Sequence, residues 1–271
     1  MDEHHYLIRG GIEGRERMRV VGRVLRPTTL PLLERAGVVA GLRCLDVGCG
    51  AGEVTFDLAS LVGITGAVVG VDLDATKIEL ARGDAEQAEV GNVEFRVADI
   101  TDGLGDEEYD VVYARFLLTH LRDPGLGVET MKNALRPGGI LIVEDIDYAG
   151  AFCYPDSEVF RRSNEIYAQS ALHNGGDPFI GVKLPRLMLD AGFERVHPSI
   201  AHPVGLEGDV KLLAPLTIEN IKAMAVKLGV ATADEVDAVV DELYALARDP
   251  RVLVSIPHIV QAWGEKPAGG E

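Results

Sequence analysis

Three glycines alternate in the stretch 48–52, at Gly48, Gly50 and Gly52, directly after the segment "RCLDV" (43–47). Two acids frame them, Asp46 before and Glu53 after. A glycine turn between a strand and a helix offers bare backbone N–H groups, and the usual ligand there is a phosphate. The surrounding residues argue against one. A dinucleotide fingerprint has glycines at the first, third and sixth positions of the turn. Counting from Gly48, the sixth residue is Glu53. No Gly-Lys-Ser/Thr follows, so a mononucleotide P-loop is excluded as well. A pyrophosphate beside Asp46 and Glu53 would also be repelled at short range.

A ligand that carries positive charge and no phosphate suits this turn. S-adenosylmethionine has a sulfonium and an ammonium, and glycines let the backbone approach its methionine part. Two further acids stand where its other groups would lie. Asp72 closes the run 67–72, where a carboxylate can accept both ribose hydroxyls. Asp99 closes the run 93–99, where a carboxylate can accept an adenine amino group, with Ile100 against the ring face.

The elements that must position these acids alternate. Strands are expected at 43–47, 67–72, 93–99, 109–114 and 140–145, with helical segments between them and a turn at "RPGG". The strands are apolar throughout, so both faces are covered, and alternation with helices gives a parallel, doubly wound sheet. Ligands of such sheets bind beyond the carboxyl ends of the strands. Before the sheet, the spacing of Met18, Val21 and Leu25 predicts one helix. Thr28 or Thr29 as a cap, Pro31 and Gly37 predict a second, short one. After it come a helix over 156–174, another at "KLPRLMLDAGF", a strand over 194–204, a helical stretch over 207–249 and a last strand around 258–263. The expected organisation is an N-terminal helical cover (1–37), a core (38–206 with 250–271), and a helical lid inserted between the last two strands (207–249).

The 271 residues carry 43 acids against 26 Lys and Arg, a formal net charge of −17. Such a surface repels nucleic acid and anionic membrane. Cys44, Cys49 and Cys153 have no paired spacing and read as reduced thiols of a cytoplasmic protein. The polar N-terminus is unlike a signal peptide, and no apolar run reaches membrane-spanning length. No His/Cys/Asp cluster has metal-ligand spacing, so no metal is expected.

The segments "LDVGCGAGEVT", "VVGVDLD", "VEFRVADI", "YDVVYARFLLTHL" and "LRPGGILIVED" follow one another between about residues 40 and 147. Together they resemble the class I S-adenosylmethionine-dependent methyltransferases, in their small-molecule branch of quinone and natural-product enzymes. The resemblance implies a Rossmann-like α/β fold with a seven-stranded sheet whose last strand is antiparallel. It also implies cofactor contacts at Asp46, Gly48, Gly50, Asp72, Leu73, Asp99 and Ile100. "YLIRGG" resembles the N-terminal cofactor cover of that branch, which places Tyr6 at the cofactor. The DNA-methylating branches carry an Asp/Asn-Pro-Pro-aromatic motif where this chain has "ARFLLTH".

Transfer of a methyl group to an O, N or C nucleophile needs alignment and, for a hydroxyl or carbon acid, removal of a proton. His120, six residues beyond strand four, is the candidate base, its ordinary pKa of ~6.5 suiting that task. Asp145 at the end of strand five is the second candidate. Arg115 is placed for the methionine amino group through its backbone, and its guanidinium for an acid or a substrate. Arg9, Arg17 and Arg23 are equal candidates for the methionine carboxylate. Phe116, Asp147, Tyr148 and Tyr154, with Phe152 and Tyr167, are expected at the acceptor. Each of these has a plainer alternative as a packed, capping or ion-paired side chain. The expected cofactor is S-adenosylmethionine, its product S-adenosylhomocysteine, the partner a small apolar acceptor, and the protein a monomer or homodimer. A protein that kept the fold and the cofactor but lost the chemistry is the competing reading.

Overall fold

The computed structural model describes residues 11–105 and 108–269. Seven strands form the main sheet: β1 (Arg43–Val47), β2 (Ala67–Asp72), β3 (Val93–Val97), β4 (Tyr109–Arg115), β5 (Leu135–Asp147), β7 (Glu194–Ala201) and β10 (His258–Glu265). Their order across the sheet is β3-β2-β1-β4-β5-β10-β7. The first five are parallel, and β10 runs antiparallel between β5 and β7. The order reverses between β1 and β4, so the turn after β1 lies at the switch point where such sheets bind ligands.

Helices α2 (Glu53–Val62) and α3 (Ala75–Gln87) follow β1 and β2, and α4 (Pro124–Ala134) follows β4. Asp74 opens α3 by accepting from Thr76 N–H at 2.9 Å, and Asp123 opens α4 by accepting from Leu126 N–H at 3.0 Å. Helices α5 (Glu158–His173) and α6 (Leu184–Asp190) precede β7. Between β7 and β10 lie α7 (Leu213–Lys227) and α8 (Ala233–Arg248). Their buried residues Leu213, Ile218, Ile221, Val236, Val239 and Leu243 share one cluster with Phe160, Ile166 and Tyr167 of α5.

Three local expectations need correction. The N-terminal segment is a single helix, α1 (Gly11–Arg35), that runs through Pro27 and Pro31. Leu25, Thr29, Leu32 and Leu33 are buried at helical spacing on both sides of Pro27, so packing outweighs the backbone bonds that the prolines remove. The "RPGG" turn belongs to β5, as a bulge between the pairs Tyr109–Leu135 and Val111–Ile140. The strand expected over 194–204 ends at Ala201, and Val204 enters a second sheet of three short strands, β6 (Cys153–Tyr154), β9 (Leu253–Ser255) and β8 (Val204–Gly205). Strands of two or three residues carry too little alternation to be read in advance.

One polar group is sealed inside the core. Glu144 on β5 has no exposed surface. Its carboxylate accepts from Tyr113 Oη at 2.6 Å, Thr29 Oγ1 at 2.8 Å and Gln261 Nε2 at 2.8 Å. The donors come from β4, α1 and β10, so this carboxylate ties the N-terminal helix to the sheet. Arg115 supplies the opposing charge, with Nη1 3.5 Å from Thr29 Oγ1. Thr29→Val removes one donor and keeps the shape. It should lower stability by about 1–3 kcal/mol in urea unfolding; a loss under about 0.5 kcal/mol would mean that the carboxylate finds a replacement donor.

Candidate active site

The turn after β1 holds three left-handed glycines, with φ of +73° at Gly48, +58° at Gly50 and +91° at Gly52. Gly48 N–H and Cys49 N–H both donate to Val71 O, at 2.8 and 3.0 Å. Gly50 N–H donates to Asp72 Oδ2 at 3.0 Å, and Asp74 N–H to Asp72 Oδ1 at 2.9 Å. A Cβ at Gly52 would lie 2.9 Å from Phe95 Cζ, and one at Gly48 would lie 3.2 Å from Leu117 Cδ1. The turn therefore fits closely between Phe95 and Leu117, where its glycines leave the backbone open to close approach.

Two cavities meet at this turn. One extends along the ends of β2 and β3, has a volume of about 350 Å³, and is lined by Asp72, Leu73, Asp99, Ile100, Leu121 and Leu126. The other opens between the turn and the helices α1, α5 and α7, with Met18, Val21, Phe116, Tyr148, Tyr167 and Ile218 among its walls. Gly48, Asp72, Leu117 and His120 border both. Asp99 accepts from Thr101 N–H at 2.9 Å, which folds the chain after β3 into a single 3-10 turn and presents Ile100 to the first cavity.

The charges are segregated. Asp46 is buried and accepts from Thr55 Oγ1 at 2.6 Å. Burial pushes its carboxyl up to about 7, against the pull of that hydrogen bond and of Arg115. Burial likewise raises the Cys49 thiol far above its usual value, leaving it no nucleophile. Lys77, in the first turn of α3, stands 3.9 Å from Asp72. Burial first, then the nearby charges of Arg17 and Lys77, pushes His120 down to about 4. Its imidazole is therefore neutral near pH 7.

Most of the expected residues converge. Asp46, Gly48, Gly50, Asp72, Leu73, Asp99, Ile100, Arg115, Phe116, His120 and Tyr148 all line one cavity or the other. Phe116 is held at φ +55°, a costly conformation for an aromatic residue, where the chain leaves β4. Asp145, Asp147 and Tyr154 do not face the cavities. Asp145 is fully buried beneath the 3-10 turn Leu118–His120 and accepts from Thr119 N–H at 3.1 Å and Ile146 N–H at 2.8 Å. It holds the turn that carries His120, and it lines neither cavity. Nor does it pair with Arg115, whose charge faces Glu144, Glu53 and Asp46. Asp147 caps the turn Tyr148–Gly150 and lies 3.7 Å from His258 Nδ1. Tyr154 is 71% exposed on the small sheet. Of the three arginine candidates, Arg23 pairs with Asp209 on the surface and Arg17 lines the cavity. Arg9 and Tyr6 lie outside the described residues.

Lys77, Asn164 and Thr217 also line the cavity and escaped the sequence reading. Lys77 follows Asp72 by five residues at the start of α3, a position that a surface lysine could hold equally well. Asn164 and Thr217 sit on amphipathic helices whose cavity-facing side carries no motif.

The S-adenosylmethionine donor set fits these residues. A glycine-rich turn, three carboxylates at one sheet edge and an apolar slot beside Ile100 match its cationic, ribose and adenine parts. Among the described residues no group of His, Cys, Asp and Glu is arranged to hold a metal ion, and no helix is long and apolar enough to cross a membrane.

Comparisons with known proteins agree with the geometry. Residues 39–189 match a family model described as a methyltransferase domain. A ubiquinone/menaquinone biosynthesis C-methyltransferase of Pseudomonas syringae pv. tomato is 30% identical over 200 residues, covering 66% of this chain and 76% of the relative. An O-methyltransferase of Aspergillus nomiae is 31% identical over 163 residues, covering 59% of this chain and 68% of that protein. The chain spans about half the length of other curated relatives it matches, such as 46% of a transposon-encoded protein of Streptomyces fradiae and 55% of an O-methyltransferase of Penicillium expansum. Among solved structures, the YcgJ protein of Bacillus subtilis superposes with a TM-score of 0.59 at 16% identity, covering 89% of this chain and 98% of that one, a likeness of fold.

The His120 environment gives a pH signature. Its folded-state pKa of about 4 lies below the ordinary 6.5. As pH falls through 6.5 the unfolded chain takes up a proton that the folded chain refuses, so stability is lost until the folded group also protonates near 4. His120→Gln should therefore gain stability relative to the parent as urea unfolding is followed from pH 7 down to 4. A gap independent of pH would place the imidazole in solvent.

Proposed function

The chain belongs to the class I S-adenosylmethionine-dependent methyltransferases, and we propose that it transfers a methyl group to an O, N or C nucleophile of an apolar small molecule. The observation that carries this reading is the junction of the two cavities. An acid-lined turn borders one side, apolar and aromatic walls border the other, and His120 stands where they meet. The names of the relatives include a ubiquinone biosynthesis O-methyltransferase and a ubiquinone/menaquinone biosynthesis C-methyltransferase.

When bound, the cofactor supplies an activated methyl group on a sulfonium. The protein's residues do the rest. Asp72 and Asp99 offer carboxylates to the ribose and the adenine, and Leu73 and Ile100 give the ring apolar faces. Asp46 and the glycine backbone receive the methionine end. Tyr148, Phe116 and Ile218 hold the acceptor and exclude water, so that alignment supplies much of the rate. For a hydroxyl acceptor, the neutral His120 takes the proton as the oxygen commits its lone pair. Asp145 keeps the turn of His120 in register from below. The stretch 207–249 serves as a lid over the acceptor and 1–37 as an N-terminal cover, in a cytoplasmic protein that acts as a monomer or homodimer.

Calorimetry with S-adenosylmethionine and S-adenosylhomocysteine tests the cofactor, and mass-spectrometric detection of a methylated product from a panel of phenols, quinones and amines tests the transfer. A folded protein that binds neither compound overturns the reading. Asp72→Ala should weaken S-adenosylhomocysteine binding by about 1–3 kcal/mol; an unchanged affinity would remove Asp72 from the ribose site.

A further inference from the structure

Arg19 and Arg35 of α1 are exposed to solvent, whereas Arg17 lines the acceptor cavity. Arg15, Arg23 and Arg26 are paired with Asp84, Asp209 and Asp57. Among the described residues no carboxylate pairs with Arg17, although it lines the acceptor cavity of a chain with net charge −17. Its Nε donates to Thr217 Oγ1 on α7 at 3.1 Å, which turns the guanidinium across the cavity and leaves its two terminal amino groups as an open fork. Burial lowers its pKa, and the phenols of Tyr167 and Tyr148 lie close enough to oppose that shift. Those two rings stack at 4.2 Å between centroids and 13° between planes. The acids of the glycine turn are served by other cations. Lys77 stands beside Asp72, and Arg115 lies in the field of Asp46 and Glu53.

We propose that the methyl acceptor is a carboxylic acid with a flat apolar body, its carboxylate gripped by the terminal nitrogens of Arg17 and its body laid along the Tyr148–Tyr167 wall. This rests on the methyltransferase reading above and names the acceptor class of that same cavity. A planar fork with one nitrogen already anchored matches the two oxygens of a carboxylate. A buried cation facing an apolar chamber is otherwise costly, so an anionic ligand returns the charge balance that the fold leaves open. Phe160 and Ile218 add apolar surface to the same cavity.

The test uses the full chain saturated with S-adenosylhomocysteine. A graded series of aromatic acids, from benzoate through 2-naphthoate to anthracene-2-carboxylate, is titrated by calorimetry beside the matching primary amides. At least one acid should bind about tenfold or more tighter than its amide, the worth of a charge-assisted pair. Arg17→Met should reduce that preference to under about twofold and Arg17→Lys should keep part of it, since a point charge remains without the fork. S-adenosylhomocysteine should bind Arg17→Met with near-parental affinity. No acid preferred over its amide anywhere in the series overturns the proposal. So does an acid preference that survives Arg17→Met. A tenfold loss of S-adenosylhomocysteine affinity in Arg17→Met assigns Arg17 to the methionine carboxylate instead, and overturns the proposal while leaving the methyltransferase reading intact. Failure of the parent chain to bind S-adenosylhomocysteine at all removes that reading itself.

Discussion

One carboxylate holds the site in shape. Asp72 accepts the N–H of Gly50 through one oxygen and the N–H of Asp74 through the other, at 3.0 and 2.9 Å. The first bond pins the glycine turn of β1 to the end of β2. The second starts the chain into α3, whose first turn brings Lys77 back beside the same acid. Bare backbone can form a ligand cradle only if something else fixes it, because glycine supplies no packing of its own. Here the fixing group is itself a wall of both cavities, so rigidity and ligand contact come from the same atoms.

The charges around that carboxylate follow a consistent division. Carboxylates collect at the sheet edge, where burial raises Asp46 to about 7. The cations Arg17 and Lys77 stand near His120 and, with burial, hold its pKa at about 4. An anion seated beside Arg17 would offset part of that field and make the imidazole more basic when an acceptor is present.

The carboxyl edge of the sheet was legible in the sequence because its signals are local. The strands 43–47 and 67–72 were read to the residue, and glycine spacing with Asp46, Asp72 and Asp99 identified the ligand class. What failed was tertiary. Nothing near Pro27 and Pro31 shows that Leu25 and Leu32 pack under one continuous helix. Asp145 and Asp147 sit at a strand end like Asp72, yet one is turned under a loop and the other caps a turn. Strand alternation sets only the face of a side chain, and the loops above decide whether that face meets a cavity or a backbone N–H. Glu144 looks like its neighbours in the sequence, and its three buried donors come from segments 31 to 117 residues away.

The hydrogen bond between Arg17 and Thr217 joins residues 200 positions apart. The acceptor chamber is thus assembled from α1, α5 and α7, while the glycine turn and its acids belong to a compact stretch of the sheet. Inheritance can act on these two parts separately. Substitutions on the three helices can redraw the chamber while the cradle that receives the methyl donor stays untouched. The family model matches residues 39–189, which leaves α1 and α7 outside it. A lineage built this way can try new acceptors without relearning how to hold the donor.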